Sequence, residues 1–354
     1  MQYITAENID SNRRIADLDK KKRRVEGGLC SRGHYKKSST DNPLVSIVTV
    51  VLNQEHTIEQ CIESVLGQSY DNIEYIVIDG DSSDGTLEKI QQYESGLDRY
   101  LSEPDNGIYD AMNKGIGLAT GDYILLLNAD DWYQNDAVEV LLRAALSKDV
   151  AVVHADAIVV DDNGKKVAES RGWLHDGIYT LGASIRHETM LVRREIYDEY
   201  GVYDVSYRII GDYEYMLRLY KAGVSFFHVN APLLYFRGSG VSNTNIRQRS
   251  QERERLFRKL FPFLDQKDLN DLKISGRVPV KERIRLKNKH EGKCALFESS
   301  MACNIADQGV AEKCCWVYLW RIQRFMYNVF GLGPNNLGVV KRIIQKIGGV
   351  SGRE

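Results

Sequence analysis

No run of about 18 apolar residues occurs in the sequence, so a membrane-spanning helix is not expected. The first residues hold no apolar core of the secretory type. The six cysteines (Cys30, Cys61, Cys294, Cys303, Cys314, Cys315) form no C-x-x-C pair, which argues against a zinc knuckle. These absences make cytoplasmic, reducing conditions the expected setting. A G-x-G-x-x-G run and a P-loop are also missing, and residues 53–57, after the first apolar stretch, contain no glycine. A nucleotide bound here is therefore not held by a glycine cradle. Net charge is small as well, at −2, but that figure hides an asymmetry. Residues 1–42 carry 10 basic and 6 acidic side chains, and residues 265–354 carry 16 and 9, so the stretch between them is strongly acidic. An acidic body disfavours nucleic acid, while basic ends suit an anionic surface.

What is present is a globular balance, 43% hydrophobic and 27% charged. Residues 1–42 are polar, with the basic run Lys20–Arg24, and read as a flexible segment that anionic lipid could attract. Ordered chain is expected from Pro43. There the apolar pattern alternates between strand and helix. Val45–Leu52 is a nearly unbroken β-branched run, as in a parallel strand covered on both faces. Ile58, Cys61, Ile62, Val65 and Leu66 follow at helical spacing, then a strand at Tyr75–Ile78 and a helix marked by Leu87, Ile90 and Tyr93. A helix with Ile108, Met112 and Ile116 on one side precedes the strand Tyr123–Leu127. Leu141, Leu142 and Leu146 mark the next helix, and Ala151–Val153 the next strand. Alternation of this kind predicts an α/β fold with a doubly wound, mostly parallel sheet. Its ligands should bind beyond the carboxyl ends of the strands.

Those ends are polar. The first strand runs into Asn53-Gln54-Glu55, the second into Asp79–Thr86, and the strand at 123–127 into Asn128-Ala129-Asp130-Asp131. Carboxylates make a poor phosphate cradle unless a cation lies between. Asp130, where the chain leaves a buried strand, suits Mn2+ or Mg2+ shared with diphosphate oxygens. The alternative is that Asp130-Asp131 caps the helix near Asp136.

The run from Val45 to about Ser242 resembles the inverting glycosyltransferases of family 2, with the GT-A fold. The resemblance is carried by the strand ending in Asn53 and Glu55, the Asp79–Thr86 loop, Glu103–Gly115, and Gly121–Asp131, the D-x-D segment. It implies that Asp79 contacts the nucleotide base and that Asp130 binds the metal bridging the donor diphosphate. Asn53, Glu55, Asp105, Asn128 and Ala129 would line the rest of the donor site. One departure stands out: Asn128 replaces the first aspartate of D-x-D, an amide that brings no charge. Arg208–Leu219 resembles the acidic motif heading a helix, with Asp212 as the general base for the acceptor hydroxyl. The family often has Glu-Asp there; this chain has Gly211-Asp212. A helix cap is the other reading of Asp212, and Gly223 should end its helix.

Arg186–Met190 resembles the stretch lining the acceptor cleft, and His187 and Arg237 are expected on the acceptor or diphosphate side. Phe236–Ser242 reads as a loop able to close over the donor. Beyond Leu264 the resemblance fades. Residues 265–354 are basic and helical in pattern, and Trp316–Phe330 is aromatic with arginines and no acid. Such a stretch could lie at a membrane interface, useful for a polyprenyl-linked acceptor, or pack on the core or in a homo-oligomer. The domains expected are thus 1–42, the transferase domain 43–264, and the extension 265–354. The expected activity is metal-dependent transfer of a sugar from a UDP-linked donor to a glycan or lipid-linked hydroxyl in bacterial surface polysaccharide assembly. Two competitors remain: a non-catalytic glycan- or nucleotide-sugar-binding scaffold, favoured by Asn128, and a sugar nucleotidyltransferase, disfavoured by the missing glycine-rich basic loop.

Overall fold

A computed structural model describes residues 24–172, 185–238 and 245–273, together with 285, 286 and 289. Defined structure begins earlier than Pro43. Strand β1 (Val25–Gly27) pairs antiparallel with β4 (Arg99–Ser102), and Leu29 and Cys30 donate their N–H groups to Leu97 and Asp98. Lys36 adds an ion pair with Asp98 at 2.8 Å. The polar composition that suggested a tail here conceals an edge strand, whose partner is supplied by a distant element.

The centre of the sheet is the predicted parallel unit. Strand β2 (Val45–Val51) lies between β3 (Ile73–Asp79) and β5 (Tyr123–Asn128), and β4 pairs parallel with β3 on its far side. Both β2 and β3 are buried at every position, which is what their apolar runs require. The crossovers are α1 (Ile58–Leu66), α2 (Thr86–Gln92) and α3 (Ile108–Leu118). Register aligns Val51 with Asp79 and Val50 with Asn128, so the three strand ends meet at one edge. Past β5 the sheet becomes mixed. Short β9 (Leu191–Arg193) runs antiparallel between β5 and β7 (Val152–Val160). Strand β7 then pairs parallel with β10 (Phe226–Arg237), carries the hairpin strand β8 (Lys166–Ser170), and β10 pairs with the two-residue β6 (Trp132–Tyr133).

A hydrophobic core fills each face. Ile58, Cys61, Ile62 and Val65 of α1 pack with Val138, Leu141 and Leu142 of α4 (Ala137–Lys148) on one side. Cys61 is simply core: its thiol faces the Thr49 hydroxyl, and burial pushes it up to about 12. The other face packs α3, α5 (Arg194–Tyr200), α6 (Gly211–Lys221) and α7 (Ile246–Leu260). Leu66, Ile108 and Leu146 satisfy helical spacing but are exposed, each at or near a helix end where the buried arc has closed. The core also runs past Leu264: Leu269 of α8 (Gln266–Lys273) and Leu286 are fully buried in it, and Arg285 and Lys289 pair with Asp268. Two leucines in a charge-dense stretch gave too little periodicity to show this. Among the described residues no helix is long and apolar enough to cross a membrane. The aromatic stretch 316–330, most of the basic run 20–24, and residues 239–242 of the expected closing loop lie outside the described residues.

Candidate active site

The loops after β2 and β3 are laced together. Asn53, at φ 52°, accepts from the Ser83 N–H at 2.8 Å, and Glu55 Oε2 accepts from the Gly85 N–H at 3.0 Å. In return Asp84 takes the Glu55 N–H, and Thr86 Oγ1 the Gln54 N–H. Asp79 is 1% exposed and accepts from the Ser82 N–H, the Ser82 hydroxyl and the Ser102 hydroxyl. A carboxylate has about four acceptor positions, so most of its capacity is spent on the loop. Asp105 caps the next turn through the Gly107 N–H at 2.7 Å and leans onto Gly80, where a Cβ would collide with it. Gly107 (φ 111°) in turn leaves room for Arg208, whose guanidinium would stand 2.5 Å from a Cβ there. Asn53, Glu55, Asp79 and Asp105 therefore form one rim, rigid because each holds backbone of its neighbour.

The turn after β5 is built differently. Arg237, at the end of β10, donates its backbone N–H to Asp131 Oδ1 at 2.8 Å and its Nε to the Asp130 carbonyl at 3.0 Å. Its other nitrogens reach Asp162 O and Gln60 Oε1, and the guanidinium lies on the Trp132 ring. This arginine was expected to face the diphosphate or acceptor; the structure uses its donors to brace the turn that carries Asp130. Ala129 points into the opposite core, which leaves only its backbone to face a donor. Asp131 is not a helix cap: Asp136 occupies that position, without a side-chain bond. Burial, followed by the charges of Glu188 and Asp130, pushes Asp131 well above the usual carboxylate range. Asp130 is raised too, chiefly by burial and then by Glu188.

Glu188 is the residue that sequence reasoning passed over. It lies in the single helical turn His187–Thr189, is 2% exposed, and accepts from Asn128 Nδ2 at 2.8 Å. Its neighbour His187 places Nδ1 3.4 Å from Glu188 Oε2 and 3.7 Å from Asp212 Oδ2. Asp212 Oδ1 accepts from the Tyr109 hydroxyl at 3.0 Å. Asn128, Glu188, His187, Asp212 and Tyr109 thus form one chain of contacts from the metal-type turn to the expected base.

Asp212 is free to face the cleft because another residue settles the start of its helix. Glu252 of α7 accepts the N–H groups of Arg208, Ile209 and Ile210 at 2.9, 3.0 and 3.2 Å. The glycine before Asp212 also has a cause: a Cβ at Gly211 would stand 2.7 Å from the Tyr109 ring. An acidic neighbour at that position would evict the tyrosine that holds Asp212. Gly223 (φ 78°) does end the helix, with its N–H on Tyr220 O.

The atoms around Asn128 fit a hard divalent ion. Asn128 Oδ1, Asp131 Oδ2, Glu188 Oε2 and His187 Nε2 are all buried without a hydrogen-bond partner, and buried polar groups are ordinarily paired. Among the described residues no three His, Cys, Asp or Glu side chains converge as a complete metal cage. An ion held by one or two carboxylates, with phosphate oxygens completing its shell, needs none.

The doubly wound, mostly parallel sheet thus carries an acidic turn at its strand ends, connected to Asp212 through Asn128, Glu188 and His187, on a fold of GT-A type. Residues 46–201 match the family model described as glycosyl transferase family 2. A PGL/p-HBAD biosynthesis glycosyltransferase of Mycobacterium bovis is 28% identical over 215 residues, which cover 57% of this chain and 80% of the relative. Chondroitin synthase of Escherichia coli is 28% identical over 246 residues, 68% of this chain but 35% of that protein. Among solved structures, S. aureus TarS 1–349 with UDP-GlcNAc superposes at TM-score 0.52 and 16% identity, covering 65% of this chain and 70% of that one. The Pyrobaculum calidifontis mannosyltransferase with GDP-Man and Mn2+ does so at 0.50 and 16%, covering 84% and 85%. At such identities the superpositions establish the fold.

Proposed function

We propose that this glycosyltransferase moves a sugar from a UDP-linked donor to a hydroxyl of a glycan or lipid-linked acceptor, with inversion and with a divalent cation held at Asp130. One observation carries the reading: the Asn128–Glu188–His187–Asp212 contacts connect the Asp130 turn to a half-exposed carboxylate across the cleft. Transfer is then one displacement. The acceptor oxygen bonds to the anomeric carbon, the bond to the diphosphate oxygen breaks, and the acceptor proton passes to Asp212 Oδ2. That oxygen is the one Tyr109 leaves untouched, so the hydroxyl fixes the carboxylate's orientation without occupying its acceptor side. When bound, a divalent ion supplies charge neutralisation for the leaving diphosphate. Asn53, Glu55, Asp79 and Asp105 frame the nucleoside side. The names of the relatives support an acceptor in bacterial envelope glycan or glycolipid assembly.

Thermal melts with UDP, with and without Mn2+, and transfer from UDP-sugars test the reading together. Asp212→Asn should lose transfer by about 10²–10⁴-fold, the range of general-base catalysis, while keeping the Mn2+-dependent stabilisation by UDP. Asp130→Ala should lose that stabilisation. Unchanged turnover in Asp212→Asn removes it as the base.

A further inference from the structure

Charge around the Asp130 turn does not balance internally. Asp130, Asp131 and Glu188 lie close together: burial first, and then the Glu188 charge, raise both Asp130 and Asp131. Of the nearby cations, Arg237 spends its guanidinium on Asp130 O, Asp162 O and Gln60. Arg186 lies flat on the Phe236 ring, 3.9 Å from its centroid. His187 is shared between Glu188 and Asp212 at distances too long for a good hydrogen bond.

Within this group Glu188 has a defined orientation. Asn128 Nδ2 donates to its Oε1, and the hydroxyl of Tyr133 donates to its backbone carbonyl at 2.5 Å. Its Oε2 is buried and accepts no hydrogen bond, as does Oδ2 of Asp131, a residue 1% exposed. A buried carboxylate oxygen without a donor is costly unless a cation visits it. Asn128 has no charge to offer such a cation; what it offers is an amide that aims Glu188.

We propose that Glu188, aimed by Asn128, is the second carboxylate of the divalent-cation site, supplying the negative charge that position 128 lacks. The inference rests on the metal-dependent reading above. Asn128 and Glu188 form a pair in which the charge can be exchanged without losing the hydrogen bond: an aspartate at 128 can accept from a glutamine amide at 188. The cation site is therefore set by the pair, and its charge can sit at either position.

The test is Mn2+ titration of the full chain, alone and with UDP, followed by the EPR signal of free Mn2+. Wild type, Asp130→Ala, Glu188→Gln and the double variant Asn128→Asp/Glu188→Gln are compared. Glu188→Gln should weaken Mn2+ binding about 10–100-fold, the range for changes around a metal site, and the double variant should restore it. Without Mn2+, Glu188→Gln should melt at or above wild type, since a buried charge with one oxygen lacking a donor has been removed. Mn2+ affinity unchanged in Glu188→Gln but lost in Asp130→Ala overturns the proposal and leaves the metal reading standing. No Mn2+ uptake by wild type overturns both. A lower metal-free melting temperature for Glu188→Gln, or a double variant that stays weak, assigns Glu188 a packing role and also overturns it.

Discussion

Gly211→Ala separates local propensity from the packing around Asp212, the proposed base. Gly211 opens α6 and has no left-handed backbone. At an ordinary helical position the change would stabilise by about 0.5–1 kcal/mol. Here the new Cβ would stand 2.7, 2.8 and 2.9 Å from Cε2, Cδ2 and Cζ of Tyr109. The ring cannot slide away: it stacks on Tyr203 at 5.6 Å, and its hydroxyl lies 3.0 Å from both Ile209 O and Asp212 Oδ1. The expected result is a net loss of about 1–3 kcal/mol in urea unfolding, the scale of an overpacked core. Turnover should fall with it, since displacing a group that orients the base by about 1 Å can cost 10²-fold. In a Tyr109→Leu background the same alanine should become neutral or stabilising, a coupling within the 0.5–3 kcal/mol seen for touching residues. A single Gly211→Ala variant that is more stable than wild type and turns over normally refutes the packing argument.

Three further outcomes follow from the same contacts. His154 is buried with Nδ1 unpartnered, and burial, followed by the charge of His228, holds it down at about 3 against an ordinary 6.5. A folded value below the unfolded one makes its stability full above about pH 6.5 and lost on acidification, about 2 kcal/mol by pH 5. His154→Gln should remove that part of the pH dependence in urea melts at pH 7.5 and 5, and equal slopes would count against it. Glu252→Ala leaves three N–H groups without their acceptor and should cost about 3 kcal/mol, with turnover reduced and UDP binding kept; loss of UDP binding would show that α7 supports the donor side instead. Asp131 lies well above its ordinary range, so its contribution is present at low pH and lost as pH rises. Metal-free Asp131→Asn should therefore exceed wild type in stability near pH 8, with the gap closing toward pH 4, and a constant gap in thermal melts would contradict this.

The parallel half of the fold was legible because it is written in short-range pattern. Val45–Val51 and Ile73–Asp79 are apolar at nearly every position, and a strand buried on both faces has no other way to look. The polar groups at their ends, and Asp212 across the cleft, came with the motifs. What stayed hidden depends on partners far apart in sequence. Val25–Gly27 becomes a strand only because Arg99–Ser102 offers an open edge. Glu252 sits in a helix dense in charge, where nothing local separates a carboxylate that binds three N–H groups from its solvated neighbours. Glu188 stood inside a noticed segment but was overshadowed by His187, because spacing cannot tell which of two adjacent polar residues turns inward. Tyr109, Tyr203, Tyr215 and Tyr197 pack ring against ring next to Asp212, with centroids 4.8–5.6 Å apart.

The acidic residues near the strand ends divide by what satisfies them, and the division bears on where the proposed cation would sit. Glu252 is satisfied by backbone N–H groups, Asp79 by Ser82 and Ser102, Asp105 by Gly107, and Asp212 in part by Tyr109. Each of these donors stabilises the ionised form without an ion. Asp131 and Glu188 keep one oxygen each with no donor, and Asp130 beside them is raised by burial. Four carboxylates are thus met by protein donors, while Glu188 and Asp131 each have a donor on one oxygen and none on the other. In the metal-dependent reading proposed above, a divalent cation would offset that charge together with the charge of the donor diphosphate it accompanies. Donor and metal should accordingly bind with positive coupling: Mn2+ affinity should rise when UDP is present, and UDP affinity by the same factor when Mn2+ is present. No coupling in paired titrations would mean that the unpaired oxygens are met by protons or water rather than by the ion that accompanies the donor.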